Sequence, residues 1–263
     1  MPILVSIILI VGGVLAVVLL RPMVLNKVRE MKYMETTSIA NLLDMFKSMQ
    51  ADGMGGHYRQ YVELKGTVFN PEPVRTPFSD KEVAFCSAKL SSVTQRREYY
   101  RDDDGNSCVR MHKDEDVLTS EASSDVLLFK DSSSDTAVVL DIDNGCSFDI
   151  PETFDRFENM GNLDRYPYFR SYHRQPTANL LGYRMQEKTV ALNQPLYVLG
   201  EAYEEGGTIH IGKPSEKDKV FVVSTKSEDQ MVGKYEAQAK MALFGGIAAA
   251  AVGVIMLVLQ LIR

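Results

Sequence analysis

The segment with the densest recognition chemistry is Arg165 to Arg174, which reads R-Y-P-Y-F-R-S-Y-H-R and alternates rings with cations. Arg165, Tyr166, Tyr168, Phe169, Arg170, Tyr172 and Arg174 form a candidate interaction strip. Such a strip stacks nucleic-acid bases, grips anionic lipid headgroups, or fills a loop between subdomains. All three readings stay open at this point. The whole chain weighs against the first, because 29 Lys+Arg face 35 Asp+Glu for a net charge of −6. Binding to phosphate backbones needs a surplus of cations, so nucleic acid is not an expected partner.

Other reactive residue types lack the spacing that chemistry requires. Asp102-Asp103-Asp104-Gly105-Asn106 has the acidity of a calcium loop, but Ser107 stands where an EF-hand needs its glycine. An acidic hairpin tip is the better reading. His57, His112, His173 and His210 are scattered, with no H-x-x-x-H or H-E-x-x-H pair. Cys86, Cys108 and Cys146 stand singly, which argues for free thiols rather than a disulfide framework or a zinc site. No G-x-S-x-G, phosphate loop or dinucleotide fingerprint occurs. The sequence therefore predicts no catalytic residue, no metal and no cofactor.

Two apolar runs frame everything else. Pro2 to Leu20 is uninterrupted by charge and is closed by Arg21. About 20 such residues match a hydrocarbon core of about 30 Å. With no basic region before it and no small-residue cleavage site, it reads as an uncleaved anchor. Met241 to Ile262 is the second run. Gly245, Ala249 and Gly253 recur there at four-residue intervals, and Gly12 with Ala16 makes a shorter stripe in the first run. Small residues on one face let helices approach closely in lipid, either within one chain or between copies in a homo-oligomer. Arg21, Lys27, Arg29, Lys32, Lys234 and Lys240 crowd the inner flanks, so the positive-inside rule predicts a cytoplasmic domain between two spans.

The elements between the runs change period. Ile39, Leu42, Leu43 and Phe46 follow helical spacing, after candidate N-caps at Thr36, Thr37 and Ser38. From Tyr61 the pattern alternates, and short strand-like runs recur: Tyr61 to Val68, Ala84 to Arg101, Val126 to Phe129, Ala137 to Ile142, Cys146 to Ile150, Leu196 to Ala202, Thr208 to Ile211 and Val220 to Ser224. Asp143-Asn144-Gly145 predicts a tight hairpin between the fourth and fifth of these. Gly66 and Gly200 mark bent strands of the kind that close a small barrel. The expected fold is mainly β, an OB-like barrel or a sandwich, with a stalk helix and two flanking transmembrane helices. The expected boundaries are 1–21 for the first span, 22–50 for the stalk helix, 57–228 for the β-domain and 240–263 for the second span.

Three phrases resemble a known family: V-E-L-K-G-T-V within Tyr61 to Val68, the phrase Asp141 to Gly145, and G-Y-R-M-Q-E-K-T-V-A-L-N-Q-P-L-Y-V-L-G-E-A from Gly182 to Ala202. With K-V-F-V-V-S-T-K-S at Lys219 to Ser227, they look like the GIDE or "beside a membrane" domain of mitochondrial outer-membrane E3 ubiquitin ligases. The likeness runs from about residue 35 to 262 and includes the order span, domain, span. It implies a membrane-adjacent domain. In those ligases a zinc-binding RING follows the second span, and the domain faces the intermembrane space. The three scattered cysteines here supply no RING ligands, so no ligase residue carries over. The expected function is a membrane-anchored interaction or scaffold module, with an unknown protein or the lipid bilayer as partner. Two alternatives stand beside it, a partner-dependent component of a ubiquitin-ligase-like transferase system and a structural membrane-organising protein.

Overall fold

A computed structural model describes residues 2–102, 105–142, 146–159 and 179–262. The first apolar run folds as α1 (Pro2–Leu15), passes through a π-helical turn at Ala16–Leu20 and continues as α2 (Arg21–Tyr33). Pro22 sits in the first turn of α2, where its missing N–H costs little. At the other end, α4 (Glu228–Leu261) is a single helix of 34 residues. It opens on a capping box, with Ser227 accepting from the Gln230 amide while the Gln230 side chain accepts from the Ser227 amide. Two helices are thus long and apolar enough to cross a membrane. Their apolar side chains point outward, with Leu4, Ile8, Val18, Phe244 and Leu259 each at least 60% exposed. Water penalises such a surface and hydrocarbon does not.

The two helices lie against each other, and backbone proximity decides which residues meet. A Cβ on Gly13 would fall 2.4 Å from the Gly246 carbonyl oxygen, and one on Gly253 would fall 2.8 Å from the Ser6 oxygen. Ala16 lies beside Gly246. Gly12 and Gly245 have open space where a side chain would be, so they face away from this contact. The intramolecular seam therefore runs one residue along from those two sequence positions, through Gly13 and Gly246.

The expected single stalk helix over 22–50 is two helices with a break between them. α2 ends at Tyr33, and α3 (Ile39–Ala51) starts after an extended link. The link breaks the helix because Thr36 bridges to Glu63 and the Thr37 amide donates to the Glu63 carbonyl. Ser38 caps α3 by accepting from the Asn41 amide. The next orphan amides are met from another loop, Ile39 by Asp131 at 2.9 Å and Ala40 by Ser133 at 3.0 Å.

Among the described residues thirteen strands follow: β1 (Arg59–Phe69), β2 (Val74–Arg75), β3 (Glu82–Val83), β4 (Phe85–Arg101), β5 (Ser107–Ala122), β6 (Val126–Lys130), β7 (Val138–Asp141), β8 (Ser147–Asp149), β9 (Glu152–Asn159), β10 (Leu180–Val190), β11 (Pro195–Glu205), β12 (Thr208–Gly212) and β13 (Val222–Ser224). Neighbours run β1-β6-β7-β12-β11, and β11 pairs back to β1. That closes a five-stranded barrel. Counted in barrel order the strands run 1-2-3-5-4-1, with β7 and β12 parallel and the other pairs antiparallel. This is the OB-type Greek-key arrangement. Closure decides for the barrel over the sandwich. β13 and β8 extend the sheet beyond β11. The hairpin expected at 143–145 does not join its flanking strands, since β7 pairs with β6 and β12 while β8 pairs in parallel with β13. Residues 143–145 themselves lie outside the described residues.

A second sheet, β5-β4-β10-β9, is inserted into the barrel's connections. Its β5, β9 and β10 were not among the sequence-predicted strands, because K-D-E-D and E-T-F-D-R-F-E-N carry too much charge to alternate cleanly. The hairpin β4–β5 does turn at the predicted acidic tip, where the Gly105 amide donates to the Asp102 carbonyl. Three cores result. One fills the barrel and takes in Ile39, Leu42 and Phe46 of α3. One lies under the second sheet around Leu90 and Met185. The third joins Val28 and Met31 of α2 and Met231 and Tyr235 of α4 to Tyr197, Leu199 and Val222 on the barrel's outer wall. The helical anchor is thereby fused to the barrel.

At Gly66, β1 leaves β11 and bends toward β6, and a Cβ there would fall 2.4 Å from the Lys130 carbonyl and 2.7 Å from the Phe129 ring. We expect Gly66→Ala to lower stability by about 1–3 kcal/mol, the usual cost of overpacking. Gly233→Ala, in a helix with open space around it, raises stability by up to about 1 kcal/mol. Thermal unfolding of the detergent-solubilised protein reads both.

Candidate binding cleft

Register brings the site together. On the outer face of the barrel, Arg59 of β1 lies opposite Tyr203 of β11, and Tyr203 lies opposite His210 of β12. Asp141, at the end of β7, completes the row by alternation from Val139, the partner of His210. The row is bonded along its length. Tyr203 donates its hydroxyl to Asp141, and His210 Nδ1 lies 3.2 Å from Asp141 Oδ1. The Arg59 guanidinium stands 5.6 Å from the Tyr203 ring centre, and the Tyr203 and His210 rings are also 5.6 Å apart. Gly212 makes room for this arrangement, because a Cβ there would fall 3.0 Å from the Tyr203 ring.

Around the row opens a cleft of about 630 Å³, lined by Arg59, Asp125, Val126, Asp141, Tyr203, Glu204, Glu205 and Lys213. Its rim is the turn between β11 and β12. Gly206 and Gly207 have φ of +60° and +85°, and the Gly207 amide donates to Glu204. The start of β6, the end of β7 and the β11–β12 turn are where OB barrels commonly take ligands.

The electrostatics are lopsided. Four carboxylates line the cleft against two cations, and Arg59 is already spent on Glu201 at 2.5 Å. Glu201 is buried behind it. Burial works to raise its pKa, but Ser215, donating from amide and hydroxyl, together with Arg59 outweighs burial and holds it below the ordinary value of 4.5. Tyr203 is shifted upward, first by burial and then by Asp141, so it stays a neutral donor. Among the described residues no serine, threonine or cysteine lines the cleft, and the one hydroxyl beside the His210–Asp141 pair is that of Tyr203. The arrangement can bind a cation and orient it.

The other sequence candidates fall elsewhere. The strip Arg165, Tyr166, Tyr168, Phe169, Arg170, Tyr172 and Arg174 lies outside the described residues, as does His173. Cys86 is buried, and its thiol is pushed up to about 12 by burial and by nearby Glu187. That suits a core position and not a nucleophile. Glu187 is occupied, accepting from the Phe78 amide at 2.6 Å and the Ser79 hydroxyl at 2.5 Å. His112 sits 2.6 Å from Glu98 on the β4–β5 hairpin. Among the described residues no three His, Cys, Asp or Glu side chains gather as a metal would need. None of the cleft residues was singled out by motif. Their only trace in the sequence is polar and aromatic residues at strand ends, as in Asp141 and in Tyr203-Glu204-Glu205.

An OB-type barrel with an acidic outer cleft, fused to a pair of helices able to cross a membrane, defines a membrane-associated module. A family model described as "GIDE: E3 Ubiquitin ligase" matches residues 95–259, from the β4–β5 hairpin through nearly all of α4. The chain belongs to the GIDE family. No curated protein and no solved structure matches it.

Because the folded Glu201 carboxyl titrates below 4.5, its stabilising contribution is complete above that pH and is lost as pH falls through the folded value. Glu201→Gln is expected to cost about 1–2 kcal/mol near pH 7, on the low side because Arg59 is open to water. The difference from wild type should shrink toward zero below the folded pKa, which urea unfolding at a series of pH values would show.

Proposed function

We propose that this chain is a multi-pass membrane-anchored interaction module that presents its acidic barrel cleft to a cationic segment of a partner protein. The observation that carries the proposal is the lopsided charge of the cleft at the OB ligand face. A carboxylate-rich concavity repels phosphate, which disfavours nucleic acid and anionic lipid headgroups and favours lysine or arginine side chains. The anchor gives the cleft its setting. α2 rises roughly 20 Å at 1.5 Å per residue and is packed to the barrel wall. The module is therefore a scaffold that keeps its partner close to the bilayer. The basic flank at Arg21, Lys27, Arg29, Lys32, Lys234 and Lys240 supports a cytoplasmic side for the domain by the positive-inside rule.

Family membership favours a second reading, in which the module serves a ubiquitin-ligase system by holding a substrate or ligase component while a partner chain supplies the chemistry. Both readings use the same cleft.

A photo-crosslinking residue in place of exposed Val126 would capture the partner in intact membranes. Reversing Glu204 and Glu205 to lysine should abolish that product, and an undiminished product would show that the cleft is not the docking site. For the side of the membrane, Ser132→Cys on an exposed loop should react with an impermeant maleimide only after permeabilisation. Reaction in intact cells would place the domain outside.

A further inference from the structure

The sheet β5-β4-β10-β9 ends on β5, and among the described residues nothing pairs its outer edge. An open edge of 16 residues is a template for another strand. Sequences usually guard such edges with charge and bulges, and β5 has both. Lys113-Asp114-Glu115-Asp116 occupies its middle, and the pairing with β4 slips at Leu118. The arrangement of these charges is specific. Glu115 lies 3.3 Å from Arg184, and Asp114 lies 3.5 Å from Arg96. Lys113 makes no ion pair among the described residues, and it is exposed. The edge thus offers an unmatched cation beside acids.

We infer that β5 pairs antiparallel with β5 of a second copy of this chain, centred on Asp114. Geometry restricts the choice. Two identical strands side by side in one sheet are related by a two-fold axis perpendicular to it, so directly opposed residues come from the same face and their numbers sum to an even value. A centre at 113 sets Lys113 against Lys113 and, though it opposes Arg110 to Asp116, leaves the exposed apolar Met111 against Glu115. A centre at 115 sets Glu115 against itself and Asp114 against Asp116 twice. A centre at 114 sets Lys113 opposite Glu115 twice, His112 opposite Asp116 twice and Met111 opposite Val117 twice. Its single like-charged pair is Asp114 with Asp114, each already near its own Arg96. Met111 and Val117 are 48% and 55% exposed in the single chain, and this register covers each with the other. The slip at Leu118 then bounds a regular ladder from Met111 to Val117 at both ends. The guard against random pairing is the code for one pairing, and two four-stranded sheets join into eight strands.

Cysteine cross-linking tests the register in the full chain in mild detergent. Cys86 is buried and its thiol is held up to about 12, so only Cys108 and Cys146 need replacing by serine. In that background Asp114→Cys should give a covalent dimer on oxidation. Met111→Cys alone should give none, because the two copies' residues are then six positions, about 20 Å, apart. Met111→Cys with Val117→Cys should restore it. All three positions are exposed, so folding is spared. Independently, Lys113→Glu should weaken dimerisation on the order of tenfold, and adding Glu115→Lys should recover it. Absence of the Asp114→Cys product overturns the inference. So does a dimer that forms equally well with Lys113→Glu, or one that Met111→Cys alone captures, which would assign association to the spans or another surface.

Discussion

Strand β11 is buried on both faces, and the rest of the molecule is arranged around that fact. Leu196, Val198 and Ala202 point into the barrel, while Tyr197 and Leu199 point out onto the helical anchor. A barrel wall ordinarily meets water outside, so this wall must be covered, and α2 with the first turns of α4 covers it. Burial of side chains such as Leu199, Met31 and Met231, at about 1.5–3 kcal/mol each, binds anchor and barrel into one body. The ion pairs around the seam, Lys32–Glu236 and Lys65–Glu228, are partly open to solvent and add little by comparison. They set orientation.

Buried carboxylates do the joining that apolar contacts cannot aim. Glu63 is 1% exposed and lies where the link after α2 crosses β1. It accepts from Thr36 at 2.7 Å and Tyr197 at 2.9 Å, with Lys65 3.1 Å away. A carboxylate removed from water requires such donors, and each donor comes from a different part of the chain. The same device recurs at Glu187, which pins the loop at Phe78–Ser79 to β10, and at Glu201, which ties β11 to Ser215. These ties fix direction where packing alone would tolerate sliding.

The cleft inherits its stiffness from this construction. Its floor is a row of side chains on adjoining barrel strands, and the strand behind it is held from both sides. Its charges are thereby preset, with Tyr203 and His210 both held on Asp141. Family membership in GIDE agrees with a barrel joined to helices long and apolar enough to cross a membrane.

Some of this was settled by sequence alone. The two apolar runs, the helical period of Ile39 to Phe46, and the short strands with Gly66 and Gly200 at their bends are local patterns, and local patterns follow from backbone geometry and burial of one face. Family likeness was legible for the same reason, since strand-and-glycine phrases survive as sequence. The break between α2 and α3 was not legible, because it depends on Glu63, 27 residues beyond Thr36. Nor was the failure of Asp143-Asn144-Gly145 to join β7 to β8, because each strand found a better neighbour far along the chain. Of the small-residue stripe, Ala16 and Gly253 lie at the contact between the two helices while Gly12 and Gly245 lie off it, since helix rotation is set by the partner helix. The cleft needed Arg59, Asp141, Tyr203 and His210, spread over four strands. Only pairing register, a non-local property fixed when the barrel closes, could set them side by side.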